Sequence, residues 1–287
     1  MKNKITCLLA GAALFGATAN ADIALADGLS AYGYIDQVVV DDSNSARKGD
    51  LVEYEIGLSF TPAESQFSAV AELSYDDGDS SFETVAVTYQ YSDALSFSAG
   101  NLYTYMGLEN ADAPHNSFIS FAGAGNTMLY NDTTWAGGVS ADYSVGDITL
   151  GVWTVADNNA SYEYYAAYSG IENLTLSVAL ADNFGANDVT NIMAVYELGD
   201  FTISGEQVDV DNTLDVTSVS VAYGMGDTTV AVRAVEGDYA GADYDKVSIA
   251  AFHSLSDNVA VGVEYSDEGL EGGDSGNVFA AELLYVF

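Results

Sequence analysis

Cysteine is nearly missing from this chain of 287 residues: the single one, Cys7, lies close to the start. Disulfides, thiolate nucleophiles and cysteine-ligated metals therefore cannot organise the fold. Proline is almost as scarce, with only Pro62 and Pro114, which suits long strand ladders because proline removes a ladder donor. Positive charge is the third shortage. Six Lys and Arg stand against 43 Asp and Glu, for a formal charge of −37. That balance repels every phosphate of a nucleic acid and excludes DNA or RNA as a partner. It also opposes docking on anionic lipid unless divalent cations bridge the two. No apolar run reaches the roughly 20 residues that a membrane-spanning helix requires.

What is present begins with a short signal. Lys2 and Lys4 precede an apolar run from Cys7 to Ala19, and Ala19-Asn20-Ala21 supplies an A-x-A site. This is the pattern of a secretory signal peptide over residues 1–21, with Ala24-Leu25-Ala26 as a later alternative cut. The expected mature chain, 22–287, keeps Arg47, Lys48, Arg233 and Lys246 as its only strongly basic residues, and its charge falls near −39. About half of the composition is hydrophobic, which argues against disorder. Twenty tyrosines and twenty-eight glycines point to many strands joined by tight turns.

Period-two alternation then fills the chain. Val52, Tyr54, Ile56, Leu58 and Phe60 alternate with Glu53, Glu55, Gly57 and Ser59. The same pattern gives sixteen strands: 29–40, 50–60, 66–75, 81–91, 94–104, 133–145, and ten more between 147 and 287. Four of them (29–40, 81–91, 200–208 and 213–224) alternate imperfectly, which leaves fourteen or twelve open. Each is close to the 9–11 residues with which a tilted strand crosses a bilayer. Links alternate between short and long, as in outer-membrane barrels with short inner turns and longer outward loops. Tyr75, Tyr91, Trp135, Tyr143, Tyr168, Tyr223, Tyr265 and Tyr285 fall at strand ends, where interfacial girdles form. No fixed repeat length appears, which counts against a β-solenoid. The expected fold is all-β, a transmembrane antiparallel up-and-down β-barrel.

The last strand carries its own signal. Phe279, Ala281, Leu283, Tyr285 and Phe287 share one face, with Glu282 on the other. An aromatic terminus behind alternating apolar residues resembles the signal read by the outer-membrane assembly machinery. That strand also sets the phase: apolar outward, Glu282 inward. On the inward phase lie Glu53, Glu55, Glu72, Asp142, Glu163, Glu206, Glu264 and Glu282, together with Arg233 and Lys246.

Residues 105–132 are the longest link and the third outward one. Phe118, Ile119 and Phe121 need a dry surface such as the inner wall, beside the small run Ala122-Gly123-Ala124-Gly125; a surface loop capping the barrel is the other reading. Around it, Gly100, Gly107, Glu109, Pro114, Asn116, Phe118 and Phe121 resemble a motif of the OmpL-like β-barrel porin family, and phosphate-selective porins carry something similar. The chain is shorter in its outward loops than that family, which puts gating or receptor roles for those loops in doubt. The resemblance implies an outer-membrane porin of a Gram-negative bacterium, with the third loop (Glu109, Asp112, His115, Phe118, Phe121) narrowing the barrel, and a homotrimer by likeness to general porins.

A lumen lined by carboxylates concentrates cations, so passive diffusion of small hydrophilic solutes with cation preference is the expected activity. The alternative is a structural or adhesive barrel without an open pore. Arg233 and Lys246 either face Glu109 and Asp112 across a constriction or neutralise neighbours such as Glu264 and Glu206. No cofactor is expected. Acidic turns at Asp76–Asp79 and Asp209–Asn212 lack the full spacing of a calcium loop and would hold calcium only loosely. With His115 and His253 as the only histidines and neither near a suitable serine, no catalytic site is expected.

Overall fold

The computed structural model describes residues 23–43, 48–76, 79–109, 111–124, 126–130, 134–156, 161–184, 187–272 and 276–287. The expected signal peptide at 1–21, Arg47 and part of the Asp76–Asp79 turn lie outside the described residues. After a short β1 (Ile23–Ala26), the chain runs through β2 (Leu29–Asp42), β3 (Lys48–Phe60), β4 (Phe67–Asp76), β5 (Asp79–Gln90) and β6 (Leu95–Tyr103). A long link with one 3-10 turn (Ala113–His115) leads to β7 (Trp135–Val145), β8 (Ile148–Val155), β9 (Tyr162–Ile171), β10 (Leu174–Phe184) and β11 (Asn187–Leu198). The circuit finishes with β12 (Phe201–Val210), β13 (Leu214–Met225), β14 (Thr228–Tyr239), β15 (Ala242–Ser256), β16 (Val259–Leu270) and β17 (Gly276–Val286).

Each of these strands pairs antiparallel with the next, and β17 pairs back onto β2 from Val278↔Asp42 to Val286↔Tyr34. Gly33 and Phe287 exchange two backbone hydrogen bonds of 2.9 Å and so continue that seam. β2 to β17 therefore close a sixteen-stranded barrel, which leaves no open edge in the hydrocarbon. The sequence reading did not foresee β1, which folds back on β2 at Ile23↔Ala31 without altering the circuit. At one end, five of the seven links between β3 and β16 are two-residue turns; Gly199 and Gly226 adopt φ of +61° and +62° there, as tight hairpin turns require.

The outward phase is apolar and exposed: Ile56, Phe97, Val139, Ile249 and Phe279 are 43–52% accessible. A water-soluble protein would hide such a belt, whereas a bilayer covers it. The inner phase holds the buried polar residues, Glu55, Glu163, Glu206, Arg233, Lys246 and Glu264 among them.

Three of the imperfect strands have physical causes. In β5, pairing with β4 slips between Ala71↔Val85 and Leu73↔Phe82, a β-bulge. The outward phase changes there from even to odd positions: Phe82 is 67% exposed, and Val85 and Val87 are exposed three and five residues later. An extra residue in one strand produces that switch. In β12 and β13 the inner face turns apolar, with Val208, Val210, Leu214 and Val216 buried. They pack with Met106, Ala122, Leu129 and Tyr130 of the long link, so apolar residues there face a protein surface.

Candidate functional site

The link between β6 and β7 meets the inner wall through a chain of hydrogen bonds. It begins at Glu163 of β9, whose carboxylate accepts from Thr104 Oγ1 at 2.6 Å and from the Tyr105 amide at 2.8 Å. Tyr105 donates its hydroxyl to Asp142 of β7 at 2.7 Å. The Gly107 amide reaches Asn191 Oδ1 at 2.9 Å, and Leu108 reaches Glu206 Oε1 at 3.3 Å. Farther along, Glu264 of β16 accepts from the amides of Ile119 and Ser120, at 2.6 and 3.0 Å, and from the Ser120 hydroxyl. A loop with no ladder of its own must satisfy its backbone amides somewhere, and carboxylates are strong acceptors for them. Four of the eight acids expected on the inward phase thus hold the loop.

Among the described residues, two inner cations are committed to the same segment. Arg233 of β14 pairs with Glu109, and its Nη2 donates to the carbonyls of Ser120 at 2.8 Å and Phe121 at 3.1 Å. Its guanidinium also stacks over the Phe118 ring, 4.4 Å from the centroid. Lys246 of β15 donates to the Phe121 carbonyl at 2.7 Å and lies 3.5 Å from Glu268. The Glu109 carboxylate in turn accepts from the Ala122 amide at 2.9 Å, and Tyr244 donates to the Ala122 carbonyl at 2.8 Å. Both cations are only 2% exposed. Of the two readings for these cations, Arg233 takes the one that faces Glu109, while Lys246 pairs with Glu268 rather than with Glu206 or Glu264.

The remaining acids gather elsewhere. Asp112, expected opposite Arg233 and Lys246, lies instead beside Glu55 of β3 and Glu83 of β5. Glu53 and Glu72 are near; they accept from the hydroxyls of Tyr34 and, at 2.5 Å, Tyr32. Burial, reinforced by Glu83, Glu72 and Glu53, holds the Asp112 carboxyl well above its ordinary range. His115 is half-buried near Glu72, and burial pushes its imidazole below the usual value. It borders, with Phe118 and Arg233, a cavity of about 60 Å³ against Ser204, Ser218 and Ser220. Glu282 faces Asp36 across the closing seam, with both side chains buried. His253 is exposed on the outer phase and bonds Thr228 at 2.9 Å. Of the terminal residues, Phe279, Leu283 and Tyr285 point outward, and Tyr285 stacks with Phe287.

Glu83 was missed by sequence reading. Regular alternation puts it on the phase of Val85 and Val87, and the bulge turns it inward. The signal was legible as two apolar residues, Phe82 and Val85, spaced three apart in a period-two strand.

A closed sixteen-stranded barrel with an apolar belt, a polar interior and a long third loop defines the outer-membrane porin class. Residues 8–272 match the profile of the family described as Gram-negative porin, and the chain belongs to that family. Its fold is similar to a multiply substituted variant of Rh. blastica porin, at TM-score 0.69 and 18% identity over 90% of this chain and 100% of that one. A triple mutant of Rhodopseudomonas blastica porin aligns at TM-score 0.65 and 20% identity, covering 90% and 100%. A loop-deletion variant of OmpT, an outer membrane protein of Vibrio cholerae, aligns at 0.66 and 17%, covering 90% and 99%. No curated protein sequence matches the chain. Family and fold together make this a bacterial outer-membrane protein and point to a channel rather than an enzyme.

Proposed function

We propose that this barrel is a passive diffusion channel for small hydrophilic solutes that prefers cations to anions, with residues 105–132 as its constriction. One observation carries the reading: among the described residues, Arg233 and Lys246, each 2% exposed, are buried under the loop, as are the acids Glu163, Glu206 and Glu264 that hold it, while Glu53 and Glu72 on the same phase stay partly exposed. Mobile ions would therefore meet mainly carboxylates, Glu53 and Glu72 among them, in a low-dielectric tube that strengthens their field. Anchoring of the loop by Glu163, Glu206 and Glu264 supports a fixed narrowing rather than a swinging lid. Hydroxyl pairs on the wall, such as Thr88 with Ser98 at 2.8 Å and Ser204 with Ser220 at 2.6 Å, offer a wettable surface to uncharged solutes.

The test is conductance of the refolded protein in a planar bilayer under a KCl gradient. The expected result is a steady channel whose reversal potential favours potassium, and whose conductance grows when residues 110–125 are deleted. Preference for chloride would defeat the selectivity, and complete lack of conductance in both proteins would favour a structural barrel without a pore. Association as a homotrimer belongs to the same proposal, and heat-modifiable migration on a gel checks it.

A further inference from the structure

We infer that the cavity between the loop and β12–β14 is a binding site for a small neutral polyol, a solute that offers both oxygens and hydroxyl protons. Its volume is about 60 Å³. One water needs about 10–15 Å³ of such volume, so there is room for roughly four to six of them, or for a chain of about three or four hydroxylated carbons. The wall side is a patch of hydroxyls. Thr202 and Ser204 of β12 border it, with Ser218 and Ser220 of β13. The register sets Ser204 opposite Ser220 and Glu206 opposite Ser218, which gathers them on the inner face. Ser204 and Ser220 share a hydrogen bond of 2.6 Å. On the loop side, Leu108 and Phe118 supply apolar surface. Hydroxyls that donate and accept, beside apolar surface for C–H groups, match both aspects of a polyol.

Charge around the cavity disfavours ionic occupants. Glu109 and Arg233 both line it and pair with each other. Glu206 adds a second carboxylate, already bonded by the Leu108 amide and Asn191. An anion would meet two carboxylates against one guanidinium. A cation would meet a donor short of an acceptor: Arg233 is 2% exposed, and its Nε is buried without a hydrogen-bond partner. A buried donor left unpaired is costly, and a neutral oxygen beside it answers the need without adding charge. Thr202 and Ala222 stand a few residues from the turns Gly199-Asp200 and Gly226-Asp227, so the cavity lies toward the short-turn end of the barrel. A solute that has crossed the constriction would dwell there before release. That role rests on the channel reading above; the binding site itself does not.

The test titrates the refolded barrel with erythritol, in a detergent without sugar headgroups, and follows the probe by saturation-transfer NMR. The expected result is a saturable signal that xylitol displaces and 1,4-butanediol does not, since the diol has the same chain length but lacks the inner hydroxyls. Ser218→Ala and Ser220→Ala should each weaken binding by roughly two- to tenfold. Thr217→Val, exposed on the outer face of the same strand, should leave it unchanged. The comparison of polyol with diol needs no variant, so it decides the matter even if a substitution disturbs folding. A non-saturable signal, equal displacement by the diol, or serine variants that bind like the wild type would overturn the site. Planar-bilayer conductance of the same protein judges the channel separately. A barrel that conducts without binding erythritol sinks the site alone, and one that binds without conducting sinks the channel alone.

Discussion

Two of the places where the loop between β6 and β7 meets the wall differ in their chemistry. At β14–β16, Arg233, Lys246 and Glu264 give every approaching loop group a partner of complementary character: guanidinium for Glu109 and two carbonyls, ammonium for a third contact, carboxylate for two amides. At β3–β5, Asp112 meets Glu55 and Glu83, like charge against like. The first anchor is self-sufficient. The second gathers carboxylates, and burial beside other acids raises the Asp112 carboxyl. One loop can thus be fixed at one end and adjustable at the other.

The largest effect is expected from breaking the self-sufficient anchor. Arg233→Met removes the ion-pair partner of Glu109 and the guanidinium donor of the Ser120 carbonyl, while the Phe121 carbonyl keeps Lys246. Removing one member of a buried pair costs about 3–5 kcal/mol. Calorimetric or denaturant unfolding should show that loss, and single-channel recordings should become noisier as the loop detaches. Unaltered recordings would mean that the other contacts suffice to hold it.

Next in size is Glu264→Gln. The amide keeps one acceptor oxygen, but the charge that strengthens bonds from Ile119, Ser120 and the Ser120 hydroxyl is gone. About 1–3 kcal/mol of stability should be lost, with a smaller rise in channel noise than for Arg233→Met. An effect equal to that of Arg233→Met would show that the two act as one unit, which a double-mutant cycle would measure.

The adjustable anchor should respond to pH in the opposite sense. Burial and neighbouring acids raise the Asp112 carboxyl in the folded protein. A raised carboxyl adds stability below its unfolded pKa, near 3.9, and loses it as pH rises through the folded value. The loop should therefore be quietest near pH 4 and noisier toward neutrality. Asp112→Asn should flatten that dependence. A profile that runs the other way would sink this account of the second anchor.

Much of the barrel could be read from alternation, because a strand with lipid on one side and polar groups on the other writes period two directly into the sequence. Reading failed where a second influence acted on the same strand. At β5 a bulge moved the phase, hiding Glu83. At β12 and β13 the docked loop made the inner face apolar, so Val208 and Val216 blurred the pattern. The inward acids could be named, yet which of them meet loop amides depended on a path through 104–130 that no local period encodes. Glu109 and Asp112 look alike in sequence, two acids on one arm of the loop that both suit a cation opposite. The loop's path brings Asp112 to a different wall, beside Glu83 at the bulge of β5.

The smallest change tests whether the first anchor holds by charge alone. Tyr244 gives the Ala122 carbonyl one neutral hydrogen bond of 2.8 Å, and its ring lies in the apolar cluster with Met106 and Leu129. Tyr244→Phe keeps the ring and removes the donor, so only about 0.5–1.5 kcal/mol should be lost. Ion selectivity should not move, because no charge changes. If unfolding shows a loss as large as for Arg233→Met, then Ala122 rather than Glu109 is the point on which the loop hangs, and the guanidinium serves mainly to fill space beneath Phe118.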